Sequence, residues 1–378
     1  MIHYFDNCAT TKVDDDVAEI LAQYHTIKYF NPSARSSFSL QIANDIAAAH
    51  EKVAKALGAT PQEIIFTSGG TESNNIAIFG SLRAKRGNIV VTQAEHSAVY
   101  NTVTELANRG YEVRYADVLS DGHIDIDDYV SKVDGDTLLA CFMHVNNETG
   151  AINDVRKLNT LVKAINPKTV TFSDGVQAVG KIPVNFRYLG VDLYSFAGHK
   201  IHCTKGIGGL YVKNGVKLAP TVFGGGQERG LRSGTEYVGG IVALSLAVQK
   251  AQTLLESNSQ KFEKYKNTIR QALDSVSDWK ENCVTDASPA IMSLAFANVK
   301  GEVLLHMLEK YDIIVGTGSA CSSKNRQSRI AKAIGLGTNY AEGVLRISFS
   351  KYNTQDEVEL LGEKIVESVV QLRKTMLG

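Results

Sequence analysis

The chain has 378 residues, with 40 basic and 40 acidic side chains and a formal net charge of +0. That balance excludes the electrostatic footprint of a nucleic-acid or anionic-membrane binder, and the length exceeds one ordinary core, so two domains are expected. The five cysteines (Cys8, Cys141, Cys203, Cys283, Cys321) are odd in number and contain no C-x-x-C pair. This argues against a disulfide framework or a zinc site and for a reducing, cytoplasmic setting. The opening residues MIHYFDNCATTKVDDD lack the basic flank and apolar segment of a targeting peptide, and no apolar stretch reaches the length of a membrane span.

Taken in chain order, helix-like runs alternate with strand-like ones from about residue 45 to 250, the pattern of a mostly parallel sheet covered by helices. A helix SLQIANDIAAAHEKVAKALG closes at Gly58, strand IIFTS spans 64–68, and a second helix TESNNIAIFGSLRAKRG closes at Gly87. Strands follow at 88–92, 112–116, 137–145, 169–174, 191–198 and 208–213. Near residue 250 the texture changes. A long helix AQTLLESNSQKFEKYKNTIRQALDSV leads into strand AIMSLAFANV, helix GEVLLHMLEKY, strand IIVGTG, helix QSRIAKAIG and strand VLRISFSKY. The last helix is announced by a Thr354/Glu357 capping box, and Val358, Leu361, Ile365, Val369 and Leu372 form its apolar stripe.

In an open α/β sheet, ligands bind outside the carboxyl ends of the strands. Two such ends deliver ionisable groups here: VTFSDGVQ brings Asp174 and VDLYSFAGHK brings Lys200. A lysine able to form a Schiff base and a carboxylate able to keep a pyridine nitrogen protonated are the pair that pyridoxal phosphate chemistry needs. The alternative is a surface lysine beside a loop aspartate. In FTSGGTESNN, strand leads through Gly69 and Gly70 into a helix, so Gly70, Thr71 and the following N–H groups can cradle a phosphate, with His199 as a further donor; a simple turn is the plainer reading.

His96, in QAEHSAVY, follows a strand end where an imidazole can stack on a flat ring and move protons. HVNNETG places Asn146, Asn147 and Glu148 at another end, where paired asparagines also simply shape turns. Cys321, in VGTGSACSSKN, has small and polar neighbours and Lys324 and Arg326 after it, the setting of a nucleophilic thiol; Cys141, in LLACFMH, reads as an inert small hydrophobe. Arg346 lies on the apolar strand VLRISFS and requires a carboxylate partner, either structural or from a substrate.

Together these motifs resemble the cysteine desulfurases of the class V aminotransferase family. The resemblance runs from FDNCATT through NPS, FTSGGTESNN, EHSAV, HVNNETG, SDGVQAVGK, SFAGHK, GGGQERGLRSGTE and GSACSS to LRISFS. The loop carrying GSACSS resembles the long-cysteine-loop branch that serves nitrogen fixation and iron–sulfur assembly. The resemblance implies a fold-type I pyridoxal-phosphate-dependent transferase. A mostly parallel seven-stranded sheet would fill a large domain, 15–255, and residues 1–14 and 256–378 would form a smaller α+β domain carrying the cysteine loop.

The same resemblance implies that Lys200 tethers pyridoxal phosphate, Asp174 pairs with its ring nitrogen, Gln177 bonds its phenolic oxygen, His96 stacks on its ring, and Gly70, Thr71 and His199 bind its phosphate. Thr235 would reach the phosphate in the other subunit of a homodimer, and Asn147 and Arg346 would hold the carboxylate of L-cysteine. Lys200, His96 and Cys321 would be catalytic, no metal is implied, and sulfur would pass as a Cys321 persulfide to an acceptor protein. The alternatives are a selenocysteine lyase or other β-eliminating enzyme, or a non-catalytic partner subunit.

Five departures stand out. The resemblance leads one to expect a serine that helps bind phosphate where Ala197 stands, IYGPKG where the chain has IHCTKG, a histidine at Ser36, a small residue at Cys8, and after the last helix a longer tail of the kind by which some relatives dock a scaffold. Cys203 is then either a second reactive thiol or part of a local turn variant.

Overall fold

The computed structural model describes residues 2–82, 86–318 and 328–377. The strands are β1 (His3–Tyr4), β2 (Ile64–Thr67), β3 (Asn88–Thr92), β4 (Glu112–Ala116), β5 (Thr137–Cys141), β6 (Val170–Asp174), β7 (Leu193–Ala197), β8 (Gly208–Val212), β9 (Trp279–Glu281), β10 (Ile291–Phe296), β11 (Ile313–Ile314) and β12 (Val344–Ser348). A seven-stranded sheet has the order β2-β8-β7-β6-β5-β3-β4. Only β8 runs antiparallel, to both β2 and β7, so the carboxyl ends of β2, β3, β5, β6 and β7 share one edge of the sheet. The sheet is mostly parallel with helices packed on it, and its central strands are apolar runs buried on both faces.

Several boundaries differ from the sequence reading. The strand expected over 137–145 ends at Cys141; Phe142 and Val145 are fully buried, but as part of the connection leaving the sheet. The helix expected to run to Gly87 is Gly70–Ser81, because Leu82 turns to extended backbone. The expected single helix over 251–276 is two, Val238–Thr253 and Leu255–Leu273, meeting at a 64° bend. The helix Ser37–Leu57 does end on Gly58, which adopts a left-handed φ of 70°. Ser36 is its N-cap, accepting from the Ser39 N–H at 3.0 Å, so its hydroxyl has a structural task.

The C-terminal part builds an antiparallel sheet β12-β10-β9. The last helix, Gln355–Leu377, packs on Leu255–Leu273. Its capping box is present, and Val358, Leu361, Ile365 and Val369 are completely buried, with Leu372 partly so. The N-terminal segment stitches the sheets together. β1 pairs with β11, Asp6 bridges Ser348, and the Thr11 N–H donates to the carbonyl of His199 at 2.9 Å. Among the described residues no single helix is long and apolar enough to cross a membrane.

Candidate active site

The shared carboxyl edge opens into a cavity of about 380 Å³. It is lined by Gly70 and Thr71 after β2, His96 after β3, Met143 and Asn147 after β5, Asp174 and Gln177 after β6, and Ala197, His199 and Lys200 after β7, with Cys8, Ala9 and Arg346 closing the remaining side. Five strand ends thus put side chains from distant parts of the sequence against one space. Of the described residues expected at the site, only Thr235 does not line it. Thr235 is exposed and outside the cavity, and Cys321 lies outside the described residues.

Gly69, with φ 151°, makes the turn from β2 into the helix Gly70–Ser81. A Cβ on Gly70 would stand 2.6 Å from Val176, so this helix start can approach the Asp174 turn only as glycine. The first N–H groups of that helix have no acceptor inside it, which makes a cradle for an anion.

Asp174 is buried, 3% exposed, and oriented by two donors: Asn74 Nδ2 at 2.8 Å to one oxygen and the Val176 N–H at 3.0 Å to the other. Lys200 Nζ donates to the carbonyls of Cys8 and, at 2.8 Å, Ala9. Burial, then the neighbouring Lys181 charge, pulls its amine down to about 8, so a useful fraction is neutral near physiological pH. His199 is lowered to about 4, by burial first and then by Lys200 and Lys181, and so is a neutral N–H donor. His96 caps the helix Ser97–Asn108: its Nδ1 accepts from the Ala98 N–H at 3.1 Å, which leaves Nε2 for a cavity occupant.

Arg346 is 8% exposed and donates to Asp6 at 2.7 Å and to the carbonyl of Asn147 at 2.9 Å. It therefore has a structural carboxylate partner. Its Nε nonetheless has no partner among the described residues, nor do the buried Oδ1 atoms of Asn147 and Asn74. Three unsatisfied polar atoms on residues lining one cavity fit a polar occupant rather than an apolar one. With a glycine-lined anion cradle, a buried carboxylate and a depressed lysine, the donor set matches a phosphorylated pyridine aldehyde.

Sequence reasoning missed Asn74, whose polar SNN setting reads as exposed helix surface, although it stands one turn beyond the glycine cradle. It also missed Glu95, beside His96, which is fully buried and held by Thr92 Oγ1 at 2.9 Å and the Met143 N–H at 2.8 Å. Burial, reinforced by Asp174, pushes this carboxyl up to about 8. The native state then holds a proton that the unfolded chain releases near its ordinary value of 4.5, so Glu95 lowers stability as pH rises from about 4.5 to about 8. Glu95→Gln, which mimics the protonated acid, is expected to be more stable than the parent by a few kcal/mol above about pH 8 and equal to it below about pH 4, read as the difference in urea midpoints.

Cys203 is completely buried, outside the cavity, and pushed up to about 12 by burial, so it belongs to a turn variant and not to the chemistry. Gly318 and Ser328, which flank the stretch that carries Cys321, both stand beside Glu148. Gly318 packs on Glu148, close enough that a Cβ there would stand 2.7 Å from Oε2, and Ser328 Oγ donates to the same oxygen at 2.7 Å. Glu148 is the neighbour of Asn147.

The aminotransferase class-V family model matches residues 3–361. The chain belongs to that family. Among curated relatives, a cysteine desulfurase of Nostoc sp. is 39% identical over 375 residues, covering 98% of this chain and 93% of the relative. The cysteine desulfurase IscS of Dictyoglomus turgidum is 35% identical over 99% of this chain and 95% of its own length. Among solved structures, a NifS-like protein superposes with TM-score 0.93 at 36% identity over 98% of this chain and all of its own. SspA in complex with cysteine gives 0.82 at 29% identity over 93% of this chain and 99% of its own. Within the family the chain stands in the cysteine desulfurase branch.

Proposed function

We propose that this protein takes the sulfur of L-cysteine, releasing L-alanine and leaving a persulfide on Cys321 for an acceptor protein. The observation that carries the reading is the cavity at the carboxyl edge, with Gly318 and Ser328, which flank the Cys321 stretch, both beside Glu148, the neighbour of the cavity residue Asn147. Relatives named cysteine desulfurase, and a solved relative in complex with cysteine, support it.

Pyridoxal phosphate would be held by Lys200 at its aldehyde carbon, Asp174 at its ring nitrogen, Gln177 at its phenolic oxygen, His96 on its ring face, and Gly70, Thr71 and His199 at its phosphate. When bound, it supplies an electron sink for charge that develops at the substrate Cα. Thr235, exposed and outside its own cavity, would serve the partner site of a homodimer. Residues 15–255 would form the cofactor-holding domain, and 1–14 with 256–378 the domain that carries the cysteine.

Arg346 and Asn147 would orient the carboxylate of L-cysteine. The Lys200 amine, neutral in part near pH 8, would take the proton from Cα, and His96 Nε2 would relay protons within the site. The Cys321 thiolate would attack the substrate sulfur. The carbon–sulfur bond breaks, a sulfur–sulfur bond forms, and the electron pair left on the substrate carbon takes up a proton, so cysteine plus thiol balances to alanine plus persulfide. Retention of the proton-handling groups and a depressed Lys200 favours an enzyme over a non-catalytic partner subunit.

The test is product analysis after incubation with pyridoxal phosphate, L-cysteine and a reductant. Alanine and sulfide in equal amounts are expected; pyruvate and ammonia would assign β-elimination instead. Arg346→Lys keeps a cation beside Asp6 but loses the two-pronged guanidinium, so the KM for L-cysteine is expected to rise about tenfold or more with kcat less affected, as steady-state kinetics would show.

A further inference from the structure

Lys181 follows Gly180 in the turn after Asp174 and is 9% exposed, yet among the described residues no carboxylate lies within ion-pair distance of it. An ammonium buried without a counter-charge is expensive, and such groups concentrate where a site uses them. Its Nζ donates to Oε1 of Gln177. Gln177, itself 4% exposed, turns its Nε2 to the carbonyl of Cys8 at 3.0 Å, and that same carbonyl accepts from Lys200 Nζ. A single chain of contacts therefore runs from Lys181 through Gln177 and Cys8 to Lys200.

The amide of Gln177 can present either end to the cavity. An ammonium on Oε1 removes that freedom, because it carries only donors and cannot accept from the Gln177 NH2. The charged and titratable groups facing Lys181 are Cys8, Arg346 and Lys200, and its walls are shared with Asp14, Lys250, His202 and Lys351 on one side and with His144, Asp154, Arg156, Tyr188 and Glu256 on the other. Those facing Lys200 are Lys181, Cys8, Arg346 and Asp6.

We propose that Lys181 is a positioning residue of the cofactor site: it fixes the Gln177 amide with Nε2 toward the cofactor and, through Gln177 and the Cys8 carbonyl, sets the surroundings of the Lys200 nitrogen. The inference rests on the reading of the cavity as a pyridoxal phosphate site. It gives the turn GVQAVGK a division of labour in which Gln177 makes the contact and Lys181 aims it.

The experiment is a pH titration of the visible absorbance of the holoenzyme for the parent, Lys181→Met, Lys181→Gln and Lys181→Arg. Removing a cation at this range is expected to raise the pH midpoint of the lysine-linked cofactor by about one unit in the Met and Gln variants, with Arg restoring it. The Gln variant retains a donor for Gln177 and decides the matter if the Met variant does not fold. Midpoints unmoved in both variants overturn the inference while leaving the site reading intact. A parent chain that develops no visible band with pyridoxal phosphate overturns the site reading, and the inference with it.

Discussion

Replacing Lys200 by alanine is expected to reduce alanine formation from L-cysteine by at least about 10⁴-fold while leaving a folded protein. The amine has two tasks in this account, tethering the cofactor and moving the Cα proton, and among the described residues no other lysine lines the cavity. The variant keeps Asp174, with its Asn74 and Val176 donors, and the Gly70–Thr71 cradle, so pyridoxal phosphate is still expected to bind without a covalent link. Borohydride reduction followed by intact-mass measurement separates the cases: the parent gains the mass of the cofactor and the variant does not.

The same substitution has a consequence for stability. The Lys200 amine falls from its ordinary 10.5 to about 8 in the fold, so between those values the unfolded chain binds the proton that the native state lacks. Stability from this group therefore rises with pH across that window and is reduced in full below about pH 8. Without cofactor, Lys200→Ala escapes a penalty of at most about 3 kcal/mol, offset in part by two carbonyls that lose their donor. A urea midpoint at or above that of the parent near neutral pH is the expected outcome, the mark of a group kept for chemistry at the expense of the fold.

The large sheet was legible because its strands are buried on both faces, so IIFT and NIVVT read as unbroken apolar runs ending in turn residues. Once the strands were placed, the rule that chemistry gathers at their carboxyl ends located Asp174, Lys200, His96 and Asn147 together. The same apolar signal misled at Phe142 and Val145, which are buried in a connection that periodicity cannot tell from strand. The break at Leu254 carries no glycine or proline, and so had no local signal; packing of the two helices against different neighbours sets it.

Asn74 and Lys181 were invisible for a related reason. Each has a polar setting or a turn position that reads as surface, and each becomes a site residue only through a contact made in three dimensions. Asn74 meets Asp174, 100 positions away in the chain, and Lys181 meets a glutamine whose own partner, Cys8, is 169 positions from it. The Ala197 departure does fall inside the cavity, where a hydroxyl would have faced the Gly70 cradle, whereas the Ser36 and Cys203 departures resolve into a helix cap and a buried turn.

The central claim is that Cys321 receives the sulfur, and its loss is expected to have the largest effect after that of Lys200. Without a thiol to attack, the substrate carbon–sulfur bond has no acceptor for the sulfur it must release, so turnover should fall by about 10²-fold or more even though cofactor binding is untouched. The most direct measurement is alanine formation from L-cysteine in the presence of a reductant, with the parent and Cys321→Ser loaded with cofactor to the same absorbance. Alanine from the parent, a mass increase of one sulfur on the Cys321 peptide when reductant is withheld, and little alanine from the variant are the predicted results. Equal alanine from both chains would contradict transfer through Cys321 and assign a lyase reaction, and none from either would contradict L-cysteine as the substrate.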